Sequence, residues 1–98
     1  MDIGAKNGAD IIAAASGTVI MAKYYGGYGN CIIVDHGGGM STLYAHMSAY
    51  VAKVGDYVVQ GQTIGKVGST GNSTGPHLHF EVSVNGSTTD PAAYVKAK

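Results

Sequence analysis

The chain has no arginine, no second cysteine and no long apolar stretch, and each absence removes a class of function. Six Lys against six Asp or Glu leave no net charge. Phosphate-driven binding needs a clustered excess of cations, so nucleic acid is not an expected partner. With Cys31 alone there is neither an intrachain disulfide nor a thiolate zinc cluster, and the redox compartment stays open. No apolar run approaches the ~20 residues that cross a bilayer, so no transmembrane segment is expected. Met1 to Gly8 lacks the basic, then apolar, pattern of a secretory signal. Charge is scarce as well, at 12% of residues against 45% hydrophobic, a balance that builds a packed core rather than a disordered segment. A chain of 98 residues is one small domain, 1–98, and no more.

Glycine is what the chain has in excess: sixteen residues where an average usage of ~7% gives about seven. Many tight turns follow. The apolar residues between those turns alternate, as strands do. Gly17 to Ala22, Cys31 to Asp35, Ser41 to His46, Tyr57 to Val59, Thr63 to Val67 and His77 to Val84 read as strands. Turn signals separate them at Gly37-Gly38-Gly39, Val54-Gly55-Asp56, Gly61-Gln62 and Asn85-Gly86. Tyr24 to Asn30 reads as a long aromatic hairpin connection. Ala13 to Ser16 and Pro91 to Lys98 are too short for independent helices, which need ~12 residues, and are expected to be turns or single-turn caps. An all-β fold is therefore expected, with Val, Ile and Leu at 19, 32, 34, 58, 64, 67, 78 and 82 in its core and Phe80 packed inward.

Four histidines stand at 36, 46, 77 and 79. In a strand, residues two apart share a face, so His77 and His79 point together, roughly 6.6 Å apart at ~3.3 Å per residue. One imidazole can then hold a metal while its neighbour serves the water to be activated. The alternative is two solvated histidines on a strand face. His36 and His46 each end a strand, and taken singly each reads as a structural or surface histidine. Among the carboxylates, Asp56 and Asp90 are accounted for by turns. Glu81 shares the face of His79, where a hydrogen bond to it and simple solvation are both open. Asp2 has no local structural explanation.

These residues together resemble a family. Gly68-Ser-Thr-Gly-Asn-Ser-Thr-Gly-Pro-His-Leu-His-Phe-Glu-Val82, with Gly27-Tyr-Gly-Asn30 and Leu43-Tyr-Ala-His46, resembles the lysostaphin-type, LytM-like zinc endopeptidases of bacterial cell walls, peptidase family M23, from Asp2 to about Tyr94. The resemblance implies a compact antiparallel β-sandwich of the barrel-sandwich hybrid (duplicated hybrid motif) type. It implies one zinc ion, with His79 and Asp2 as matching metal ligands and His46 and His77 as the two catalytic histidines. His36 matches a histidine not assigned to the metal. The family's remaining ligand, the His of H-x-x-x-D, would stand four residues before Asp2. The expectation is therefore a peptidase domain that lacks this upstream ligand, so that the chain by itself is inactive.

The activity implied is zinc-assisted hydrolysis of peptidoglycan peptides, in stem peptides or interpeptide bridges, by a secreted monomer in the cell wall or periplasm. His77 is the expected general base and His46 the donor to the tetrahedral oxyanion, roles that can be exchanged. The loops Tyr24 to Asn30 and Ser69 to Pro76 would wall a groove for an extended peptide. A second reading is a non-catalytic LytM-like domain that binds wall peptides or regulates another hydrolase. The retention of Asp2, His46, His77 and His79 together argues against it. Lys53 to Gly65 also looks like the hammerhead of biotinyl and lipoyl carriers. No lysine stands at a hairpin tip in the short motif that carriers modify, so shared β architecture is the better reading.

Overall fold

The computed structural model describes residues 2–4, 8–68, 77–84 and 87–89, with side chains for 8–68 and 79–84. The expected Ser69 to Pro76 loop, the Asn85-Gly86 turn and the Pro91 to Lys98 tail lie outside these residues. The described strands are β1 (Asp2–Gly4), β2 (Asp10–Ile12), β3 (Gly17–Tyr24), β4 (Asn30–Gly37), β5 (Met40–Tyr50), β6 (Tyr57–Val58), β7 (Thr63–Val67), β8 (His77–Val84) and β9 (Ser87–Thr89). The six strands expected from alternation are present. β1, β2 and β9 were not signalled, because three residues give alternation nothing to repeat. Ala13 to Ser16 forms no helix. One 3₁₀ turn, Gly26–Tyr28, sits within the aromatic connection between β3 and β4.

Every pairing is antiparallel. The strands run β1-β8-β5-β4-β3-β6, with β7 joining β5 to β2 and β9 flanking β8. The long β5 has two partners along one edge. Its first part, Met40 to Ala45, pairs with β8, and its second part, Met47 to Tyr50, pairs with β7. Between them lies His46, at φ 60°, the one non-glycine residue with positive φ among those described. A strand that changes partner through an irregularity is how a sheet turns a corner and folds over itself. The sheet here curls in that way into the expected sandwich.

Inside the curl are Val19, Ile32, Val34, Val58, Ile64, Val67 and Val82, all buried as expected, joined by Phe80. The side chain of Leu78 is outside the described set. Ile11, Tyr44 and Met47 were not expected there and are at most 1% exposed. Ile11 lies on the unsignalled β2. Tyr44 is admitted because its hydroxyl is satisfied: Ala14 N–H donates to it at 2.9 Å, and it lies 2.8 Å from Thr42 Oγ1. Thr42 Oγ1 is also 2.8 Å from His36 Nε2, while His36 Nδ1 is 2.8 Å from the Ser16 carbonyl.

Ser16, His36, Thr42 and Tyr44 thus form one continuous chain of hydrogen bonds, in which Thr42 Oγ1 donates to the Tyr44 hydroxyl. Thr42 is 1% exposed, so Thr42→Val leaves the Tyr44 hydroxyl and His36 Nε2 each short of a partner. The expected loss is about 1–3 kcal/mol, read as a fall in the urea midpoint at unchanged slope.

Cys31 is fully buried on β4. Burial pushes its thiol up to about 11, with Lys23 opposing slightly. Since the unfolded thiol ionises near 9.0, this group's contribution to stability holds at lower pH and is lost as pH rises from about 9 to about 11. Folded protein at pH 8 should resist iodoacetamide until urea unfolds it, as followed by mass spectrometry.

Candidate active site

The corner of β5 is where the candidate residues meet. In the register of β8, His79 stands between Asp2 of β1 on one side and Ala45 of β5 on the other. The residue after Ala45 is His46, and its left-handed backbone brings its ring to 5.9 Å from the His79 ring, edge-on at 61°. His46 is 8% exposed. A non-glycine residue in this region costs on the order of 1–3 kcal/mol, so surrounding contacts must hold it there. His77 lies two residues before His79, opposite Gly4 of β1. The side chains of Asp2 and His77 lie outside the described set, and their positions are known as register positions only.

Glu81, two residues beyond His79, takes the hydrogen bond rather than simple solvation. Its Oε2 is 2.7 Å from His79 Nε2, with both side chains about three-quarters buried. The Tyr28 hydroxyl donates to the same oxygen at 3.1 Å. The Tyr28 ring lies 5.9 Å from that of His79 and stacks on Tyr25 at 5.9 Å, nearly parallel. Burial, followed by the hydrogen bond to Glu81, raises the Tyr28 hydroxyl above its usual pKa. Tyr24 and Tyr25 remain half-exposed or more. Of the three tyrosines, therefore, one is committed to the site's hydrogen bonding and two face outward.

The structure thus brings together Asp2, His46 and His79, and places His77 one alternation away. His36 is elsewhere, tied to Ser16 and Thr42. Lys66, within β7, pairs with Asp10 and is not at a hairpin tip, as carrier chemistry would require. Sequence reasoning missed the part played by Asn30. Its Nδ2 donates to the Met47 carbonyl at 3.0 Å, and its Oδ1 accepts from the Tyr50 hydroxyl at 3.2 Å. The signal available was the glycine-flanked Gly27-Tyr-Gly-Asn30, which marked a turn but not what the turn would hold. An imidazole facing a carboxylate position across a strand pair, with a hydrogen-bonded carboxylate behind the imidazole, is a donor set suited to zinc.

The model for peptidase family M23 matches residues 1–91. Among curated proteins, the chain is 44% identical over 93 residues to "DD-carboxypeptidase/endopeptidase Mpg" of Neisseria meningitidis, covering 95% of this chain and 21% of that protein. It is 38% identical over 95 residues to "Murein hydrolase activator EnvC" of Escherichia coli, covering 97% and 23%. The chain therefore spans about a fifth of the length of the curated relatives it matches. Among solved structures, the catalytic domain of lysostaphin from Staphylococcus simulans superposes with a TM-score of 0.88 at 39% identity, covering 95% of this chain and 74% of that one. A zinc-containing peptidase from Vibrio cholerae superposes with a TM-score of 0.89 at 34% identity, covering 99% and 30%. A match over nearly the whole chain, on a curled antiparallel sheet of the lysostaphin kind, makes this chain a member of peptidase family M23.

Proposed function

We propose that the protein containing this chain is a zinc-dependent endopeptidase that hydrolyses peptide bonds in bacterial peptidoglycan and works outside the cytoplasmic membrane as a monomer. The observation that carries the reading is the register: Asp2 opposite His79, with His46 turned toward His79 at the β5 corner. Relatives named as a DD-carboxypeptidase/endopeptidase and a peptidoglycan DD-endopeptidase, with a zinc-containing structural neighbour, support it. Among the described residues no helix is long and apolar enough to cross a membrane.

Asp2 and His79 would hold the zinc, with a third ligand that the family pattern places ahead of Asp2. With His79 Nε2 on Glu81, Nδ1 would be the nitrogen offered to the metal. When bound, zinc supplies the Lewis acidity that polarises a peptide carbonyl and makes water acidic near neutral pH. His77 takes the proton from the attacking water. His46 donates a hydrogen bond to the oxygen that becomes negative in the tetrahedral adduct and passes a proton to the leaving amine. Glu81 keeps the His79 ring oriented.

The similarity to a murein hydrolase activator favours one second reading, a domain that regulates another wall hydrolase without cleaving. Full-length protein separates the two on purified peptidoglycan. The expected result is one zinc per chain, release of peptides that stops on chelation, and recovery when zinc is returned. Absence of release at full zinc occupancy, with stimulation of a second hydrolase, would establish the regulator instead.

A further inference from the structure

We propose that the turn from Tyr25 to Asn30 is the positioning element for both site histidines, with Tyr28 acting on His79 through Glu81 and Asn30 acting on His46 through the Met47 carbonyl. This rests on the peptidase reading above and assigns residues outside its catalytic set. The turn is stiff for its length. Tyr25 N–H donates to the Gly29 carbonyl at 2.8 Å, Tyr28 N–H to Tyr25 at 3.0 Å and Gly29 N–H to Gly26 at 3.1 Å. Gly26 and Gly29 take the positive φ values of 52° and 65° that such a reversal requires. The Tyr25–Tyr28 stack braces it, and the Lys23 ammonium lies 5.8 Å from the Tyr25 ring centroid.

Two arms leave this turn in different directions. On one, the Tyr28 hydroxyl and His79 Nε2 converge on a single oxygen of Glu81. A carboxylate anchored by the tyrosine keeps the proton of His79 on Nε2. On the other, Asn30 is the register partner of Met47 and donates to its carbonyl, fixing the residue that follows left-handed His46. Tyr50 holds the Asn30 carboxamide in the orientation that makes this possible. A rotation of the turn would therefore disturb the tautomer of one histidine and the backbone of the other.

The test uses the full-length protein and variants Tyr28→Phe, Glu81→Gln, Glu81→Ala and Asn30→Ala, each confirmed folded by circular dichroism. Long-range ¹H–¹⁵N spectra of metal-free protein should show His79 protonated on Nε2. That preference should be lost in Glu81→Ala, weakened in Tyr28→Phe and kept in Glu81→Gln. Zinc affinity, measured by competition with a chelating dye, should fall about 10–100-fold in Glu81→Ala, less in Tyr28→Phe, and recover in Glu81→Gln. Asn30→Ala should leave zinc affinity unchanged and lower kcat on peptidoglycan peptides with KM unchanged. The inference is overturned if the His79 tautomer is the same in all variants, or if Asn30→Ala changes KM or zinc affinity while sparing kcat. If wild-type protein binds no zinc, the peptidase reading fails, and the tautomer spectra still decide the Tyr28–Glu81 arm.

Discussion

In the full-length protein, His77→Ala is expected to slow peptide release from peptidoglycan by about 10³-fold, within the range for losing a positioned general base, while zinc binding is unchanged. The separation follows from place. His79, one alternation further along β8, faces Asp2 across the strand pair and is turned by Glu81, whereas His77 faces Gly4, which carries no donor. His79→Ala should accordingly lose zinc and hydrolysis together. Equilibrium dialysis with metal analysis, run beside a soluble-peptide release assay, gives both quantities for each variant. Loss of zinc in His77→Ala, or full hydrolysis without that imidazole, would reverse the assignment.

The second large effect concerns stability. Gly17 opens β3 where β4 and β6 close on it: Thr18 pairs with Asp35 on one side, and Gly17 pairs with Val58 on the other. A Cβ at residue 17 would lie 2.4 Å from the Asp35 carbonyl oxygen and 2.9 Å from Val34 Cγ1. The nearer atom is backbone, held in its own ladder, and a shift of β3 away from it is opposed by β6. Gly17→Ala should therefore cost about 3 kcal/mol or more, a large share of the ~5–15 kcal/mol that holds a domain together. Gly38→Ala is the control. Its Cβ would meet nothing within 4 Å, and only the positive φ of 63° counts against it, so about 1–2 kcal/mol is expected. Urea titrations of the two variants should rank in that order, and equal midpoints would show that β3 can yield.

Alternation sufficed for the longer strands because each buries one face, so the pattern of Val19, Ile32, Val34 and Val82 already states which side is inward. It could not show β1, although β1 carries Asp2, since its three residues are strand only by pairing with β8. The four candidate site residues were singled out through their motif, alternation having paired only His77 with His79. Glu81 was legible as a neighbour of His79, since residues two apart share a face, but whether it met imidazole or water depended on a partner, Tyr28, 53 positions away in sequence. The left-handed turn at His46 was hidden for a different reason. Nothing in Leu43-Tyr-Ala-His46 disfavours a continuous strand, and the break comes from β5 having to serve β8 and then β7.

That shared strand bears on how the protein fails when heated. The His46 corner can relax only if β5 parts from β7 or β8, and β5 is paired to β4 along most of its length as well. A local fluctuation confined to the site therefore has no separate route. Amides around Met47 should exchange with deuterium only through the same opening that exposes the core. Irreversible heat inactivation should then track global melting instead of preceding it, and a ligand that tightens the histidine pair should raise the melting temperature of the whole sheet.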